Sequence, residues 1–260
     1  MKTYTLPAMN AVLQLLVLIA VTITGRSLYA QDNEPRFVLD LELGAGWQAR
    51  NDVQIPNDSR GTRFALDDLA GDGPWPTGRL NGLWRINDRH GLRVLLAPLS
   101  YTETGTTLGE VKFAGQRFDA TAPIRASYQF NSWRISYRYH LVNRTDWDLW
   151  LGGTLKIRDA EIRLRQGQVT ATDDDLGVVP LFYLASRYRL TRRWSINAEL
   201  DALAGGPGRA IDLGLRLDYD LTERWRIGLG YRGLEGGADT DDVYNFAWFN
   251  SAVVTAGYRF

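Results

Sequence analysis

From residue 37 onward, apolar side chains recur at every second position in a series of runs separated by turn-forming residues. Phe37, Leu39, Leu41, Leu43, Ala45 and Trp47 alternate with Val38, Asp40, Glu42, Gly44, Gly46 and Gln48. Successive strand side chains point to opposite faces, so this pattern predicts a β-strand with one greasy and one polar face. The same period predicts further strands at about 76–87, 91–101, 122–141, 147–165, 178–190, 194–203, 210–221, 225–234 and 244–260, ten in all with the first. Glycine, proline and aspartate collect in five longer connections, at 50–75, 102–121, 166–177, 205–208 and 235–243, the second with a possible small hairpin at 111–118. In 122–141 the apolar face carries Trp133, Ile135, Tyr137, Tyr139 and Leu141, yet Arg125, Ser127 and Gln129 share its parity. A β-bulge near Asn131 is the expected remedy, with a similar parity break near 159–161 in the next strand.

The other connections are short and share a signature. Residues 188–194 and 219–225 both read Y-x-L-T-x-R-W, 139–147 is a longer version, and Trp84 precedes the turn at 87–90. Tyrosine and tryptophan flanking every short turn suit one interface of a membrane, where an amphipathic ring has an apolar and a wet side. Both ends of the strand series fall on the short-turn side, which requires an even strand number. A soluble sandwich or barrel would also alternate. Three asymmetries favour a membrane barrel instead: short turns all at one end, aromatic pairs beside them, and an aromatic carboxy-terminal residue.

The last stretch concentrates these features. Tyr244, Phe246, Trp248, Ala252, Val254, Ala256, Tyr258 and Phe260 lie on one face, interrupted only by Asn250. At about 3.3 Å per residue, its 17 residues span about 56 Å, or about 40 Å when tilted, which exceeds a bilayer core. The stretch resembles the closing strand of bacterial outer-membrane β-barrel proteins of the small, 8–12-stranded, Gram-negative type. The resemblance implies an antiparallel transmembrane β-barrel with short periplasmic turns and long extracellular loops. It also implies that Tyr258 and Phe260 serve the barrel-assembly machinery and that outer-membrane lipid and lipopolysaccharide surround a monomer.

Residues 1–30 combine Lys2, the apolar run 11–23 and the stretch SLYA before Gln31. A basic start, a 13-residue apolar centre too short to span, and a small residue at the cut predict a signal peptide cleaved after Ala30. Residues 31–260 then form the barrel domain. The full chain balances 30 basic and 30 acidic residues; removing Lys2 and Arg26 leaves 28 against 30, a net of minus two, which gives no reason to expect nucleic-acid binding. There is no cysteine, and beyond residue 30 the only lysines are Lys112 and Lys156. Arginine therefore carries the positive charge; its guanidinium fork stays ionised when buried and pairs with two carboxylate oxygens at once.

On the polar faces of the predicted strands stand the acids Asp40, Glu42, Asp148, Glu199, Asp201, Asp212, Asp218 and Asp220. With them are the bases Arg85, Arg93, Arg134, Arg138, Lys156, Arg158, Arg187, Arg189, Arg216, Arg226, Arg232 and Arg259. Charges facing a barrel interior must be paired or wet. Hairpin parity sets Asp220 beside Arg226 and His140 beside Asp148, and places Arg85 opposite Arg93, borrowing Asp40 or Glu42. Two interiors fit: a salt-bridged plug with a passive structural role, or a narrow, porin-like passage whose surplus of cations favours anions. A loop-mediated adhesin or receptor is a further class.

Outer-membrane lipid A deacylases and omptin proteases are barrels of comparable size, and the resemblance implies a catalytic histidine near the outer rim in such enzymes. Here both His90 and His140 belong to the short-turn end, and Ser136 lies four residues from His140 on one strand, about 13 Å away. No catalytic set is expected. The acidic runs Asp173-Asp174-Asp175 and Asp239, Asp241, Asp242 lack the spacing of a calcium loop, so no metal or cofactor is expected either.

If the closing strand is a recognition element, deleting Phe260, or replacing it and Tyr258 with Ser, will cut the yield of heat-modifiable barrel in the outer membrane. Normal assembly of the truncated chain would remove the main support for that role.

Overall fold

The computed structural model describes residues 35–206 and 208–260; the expected signal segment at 1–30 lies outside the described residues. In chain order the strands are β1 (Phe37–Gln54), β2 (Phe64–Ala65), β3 (Trp75–Arg85), β4 (His90–Ala97), β5 (Ser100–Gly105), β6 (Val111–Phe113) and β7 (Gln116–Phe118), with a short helix α1 (Leu66–Ala70) between β2 and β3. There follow β8 (Ile124–Asn143), β9 (Trp147–Gln166), β10 (Val169–Arg189), β11 (Trp194–Gly205), β12 (Gly208–Asp220), β13 (Trp225–Asp239) and β14 (Tyr244–Arg259). Long antiparallel ladders join neighbours in the order β1, β3, β4, β8 and on through β14, and β14 pairs back onto β1 from Val38↔Arg259 to Gln54↔Tyr244. The result is a closed barrel of ten antiparallel strands. Closure of β14 onto β1 pairs the backbone of the first and last strands and so removes the open edges that hydrocarbon would not tolerate there.

The repeated turn motif has a local cause. Thr191 Oγ1 accepts hydrogen bonds from the backbone N–H groups of Arg193 and Trp194 at 3.2 and 3.0 Å, and Thr222 does the same for Arg224 and Trp225 at 3.2 and 2.9 Å. Each motif's tryptophan then packs on the tyrosine of the next strand, Trp194 on Tyr219 and Trp225 on Tyr258, with centroids 4.8 Å apart in both pairs. The motif arginines reach the same rings, since Arg193 donates to the Tyr219 hydroxyl at 3.1 Å and Arg224 to that of Tyr258 at 3.4 Å.

Leu41, Leu43, Val94, Ile135, Leu155, Ile157, Leu229 and Val254 stand exposed around the outer wall. At about 25 cal/mol per Å² of apolar surface, such a continuous belt is untenable in water and natural against lipid chains.

Above the belt the strands run on, which corrects the predicted long loops. β1 continues to Gln54, and a bulge between Gln48 and Arg50 turns Asn51 and Val53 inward. β9 and β10 stay paired up to Gln166↔Val169, turning at Gly167 with φ +58°, so 166–177 is mostly strand. Likewise β13 and β14 are paired to Asp239↔Tyr244. The expected hairpin at 111–118 is present as β6 and β7.

The expected bulge at Asn131 and the break at 159–161 are absent: β8 pairs with β9 without interruption from Arg125↔Arg165 to His140↔Trp150, and shifts register only beyond His140. What changes along these strands is the solvent. Within the belt the outside is lipid, so Ile135 faces out and Arg134 in; above it the outside is water, so Arg125 faces out and Tyr128 in. The hydrophobic pattern inverts while the strand stays regular. The upper interior accordingly holds an apolar core of Val53, Leu66, Phe113, Phe118, Ile124 and Leu164, covered by α1 and the β6–β7 hairpin.

The taller end carries the connection at 55–63 and the β9–β10 tip, and the opposite end carries the threonine turns. Protease added to whole cells is expected to cut tags inserted at Asp58 or Gln168 and to spare tags at Arg192 or Glu223. The reverse pattern would invert the topology.

Candidate functional site: the charged interior

Inside the belt, strand alternation turns charged side chains inward, and closure brings together groups far apart in sequence. Arg93 on β4 contacts Glu199 at 2.8 Å and Asp201 at 3.0 Å, both on β11. Asp201 also binds Arg134 of β8 at 2.7 Å and accepts from Thr154 at 2.6 Å. Arg134 continues to Asp212 of β12 at 2.6 Å. Asp212 is the hub, because it also binds Arg79 of β3 at 2.5 Å and Arg232 of β13 at 2.9 Å. Arg232 closes the chain with a bidentate pair to Glu42 of β1 at 2.7 and 2.9 Å. Asp201 and Asp212 are 1% and 3% exposed, so the pairs are dry.

A second group lies nearer the short turns. Arg226 binds Asp40 at 2.8 Å and approaches Asp218 at 3.4 Å. Arg259 and Arg187 share Asp220 at 2.6 and 3.4 Å, and Arg216 stands 3.6 Å from Asp218. Asp148 takes Arg189 at 2.6 Å and His140 at 3.0 Å, while His140 stacks on Trp150. Arg138 lies over the Trp150 ring, 4.2 Å from its centroid.

Several expected pairings differ. Asp220 is in register with Arg226 as predicted, but the ion pairs are to Arg259 and Arg187. Arg85 lies opposite Gly91 and Arg93 opposite Leu83, so the two arginines are not direct cross-strand partners. His140 does meet Asp148, helped by the register shift just beyond it. Arg79 was missed; it shares the odd parity of Arg85 in its strand, so the signal was present.

Lys156 is buried with its ammonium 4.4 Å from the Phe130 ring centroid, and Arg158 pairs with Asp175. The run Asp173-Asp174-Asp175 is therefore part of β10, whose alternation separates neighbouring carboxylates onto opposite faces. Burial raises the Asp173 carboxyl above its ordinary value, with Asp174 adding to the shift. Burial also raises Asp67 in α1, whose carboxylate accepts the Asn51 N–H at 2.9 Å. His90 meets the Tyr137 hydroxyl at 2.5 Å, and Ser136 is engaged by Arg93 at 3.0 Å and Thr154 at 2.7 Å. Among the described residues no His, Asp and Glu side chains gather into a metal-binding group.

No protein-family model matches the chain, and no curated protein matches it in sequence. Solved structures do match in shape. The outer membrane protease OmpT of Escherichia coli superposes with a TM-score of 0.56 at 9% identity, over 90% of this chain and 99% of that one. The attachment invasion locus protein Ail of Yersinia pestis, in complex with the heparin analogue sucrose octasulfate, gives 0.37 at 12% identity over 86% and 99%. Neisserial surface protein A gives 0.38 at 12% identity over 86% and 97%.

Removing one partner of a buried pair strands the other, so Asp212→Asn, which weakens contacts to three arginines, is expected to cost about 3–5 kcal/mol in urea unfolding from lipid vesicles. Arg163→Ala on the exposed wall should cost under about 1 kcal/mol. Equal losses would deny the hub its structural weight. Closed ten-strand topology, an outward apolar belt, an ion-paired interior and the likeness in shape to OmpT together give the chain the fold of outer-membrane β-barrel proteins.

Proposed function

We propose that this protein is a closed, non-conducting barrel of the Gram-negative outer membrane with a passive structural role, monomeric and surrounded by lipopolysaccharide. The observation that carries the reading is the course of the ion pairs. Arg93 to Asp201, Arg134 to Asp212 and Arg79 to Asp212 join strands that are not neighbours, so they run across the interior rather than along its wall. A passage would need these bonds parted and their charges rehydrated. The apolar core beneath α1 and the β6–β7 hairpin lies above them in series. Ten strands fall between the eight that side chains can fill and the sixteen that leave a channel, so it is the side chains that decide.

On this reading Tyr258 and Phe260 serve assembly, and nucleic acid is no partner. The likeness to OmpT is one of fold, and this chain's histidines lie at the opposite end from the tall wall, so no protease or lipid-modifying role is assigned. A loop-mediated adhesin or receptor is the second reading. It is favoured by the exposed outer face of the tall hairpin, where Arg125 and Arg165 sit directly opposite one another with Arg163 beside them.

Planar bilayers containing the refolded protein are expected to show no unit conductance above the lipid background. Stable steps with chloride preferred over potassium would instead establish the anion-selective passage.

A further inference from the structure

The barrel wall is not hydrogen-bonded all the way round. The β3–β4 ladder stops at Leu80↔Leu96, and above it 75–79 pairs only with β1, from Glu42↔Arg79 to Gly46↔Trp75. On the other side of the seam, β5 pairs only with β8. The seam is closed above by side chains: Trp75 stacks on Tyr101 with centroids 3.9 Å apart, and its indole N–H donates to Glu103 at 2.9 Å. Between that bridge and the top of the ladder lies a window, with Thr77 and Gly78 on one lip and Ala97 and Pro98 on the other. Pro76 and Pro98 bring no N–H to the lips.

The window's height follows from register. Gly78 is opposite Leu43 and Pro76 opposite Ala45, while Leu96 is opposite Trp133. Leu43, Trp47 and Leu96 are exposed members of the apolar belt, so the window opens on hydrocarbon at the belt's edge toward the tall end. Behind it lies a cavity of about 40 Å³ whose upper wall includes Leu99, Phe130 and Phe249. Its floor is polar but already satisfied: Glu42 is held by Arg232, Arg79 by Asp212, and Ser132 accepts from Arg134 at 2.9 Å. No lining residue has a buried polar side-chain atom without a partner. A water there would come through lipid and find few free partners, whereas it needs two to four.

We propose that this window is a binding site for the end of one acyl chain of a lipid in the adjoining leaflet. The opening faces only hydrocarbon, and the apolar core above closes the route from that end. An alkyl terminus covers Leu99 and Phe130 without stranding a charge, and a cavity of about 40 Å³ takes a chain tip and excludes a headgroup. The site rests on the closed interior proposed above, which the bilayer recordings test separately.

The full chain would be reconstituted in phospholipid vesicles carrying a diazirine on the terminal carbon of one acyl chain, irradiated and mapped by mass spectrometry. Cross-links to the inward-facing Leu99, Phe130 or Phe249 are expected beside those to the outer belt. Cross-links confined to outward residues such as Leu41, Leu155 and Val178 would overturn the proposal. Gly78→Leu adds a side chain on the outer face of the lip, where a Cβ meets only the Leu43 side chain at 3.6 Å and the Glu42 carbonyl at 4.0 Å, to screen the opening from lipid. In that variant, shown to be folded by its gel shift, inward cross-links should fall to background while outward ones persist. Unchanged inward labelling would overturn the window as the route, and should the variant fail to fold, the wild-type map still decides.

Discussion

Every polar group that crosses hydrocarbon in this protein must find its partner inside the barrel. The backbone does so by closure, β14 onto β1. The side chains do so through arginine, whose fork lets one guanidinium bridge two carboxylates and lets Asp212 gather three cations. Attraction and desolvation nearly cancel for such buried groups, so the network adds little net stability over a well-packed apolar filling. Its weight lies elsewhere: once any member is in place, losing its partner is expensive, which ties β1, β3, β4, β8, β11, β12 and β13 to a single arrangement.

The change of solvent along the strand axis explains the rest of the interior. Where the outside is lipid, polar residues turn in and meet one another; where it is water, apolar residues turn in and pack. Tyr128 and Arg134 lie on the same side of β8 three rungs apart, one in an aromatic cluster with Tyr101 and Phe249, the other between Asp201 and Asp212. The two fillings need no boundary element, because each is what the local exterior leaves over.

That inversion also separates what was legible in the sequence from what was not. Strand positions in the belt, the even count, the short turns and the inward charges follow from period two and from threonine and tryptophan at fixed offsets. Asn131 was misread because a parity change in hydrophobicity has two causes, a bulge or a change of solvent, and the sequence does not distinguish them. The connections at 166–177 and 235–243 were misread for the same reason: strands clear of the membrane lose the greasy face that made the others visible. Arg79 was readable from parity. The partners of Arg93 and Arg134 were not, since they sit on strands that only closure brings near. Hairpin logic finds neighbours such as His140 and Asp148, whereas Asp212 and Arg79 are 133 residues apart.

A barrel whose interior is crossed by ion pairs can still be open through its wall. The interior needs ion pairs because its strands present charge, but the wall at Pro76 and Pro98 has lost its ladder, and side chains from Trp75 and Glu103 take over what backbone pairing does elsewhere. Such a seam is tolerable in hydrocarbon only where the material on both sides is apolar or already bonded. Here the lips carry glycine, alanine, proline and a single threonine, and the floor's arginines are committed to Asp212 and Glu42. The same pairing of charge that crosses the interior thus makes the lateral opening compatible with lipid.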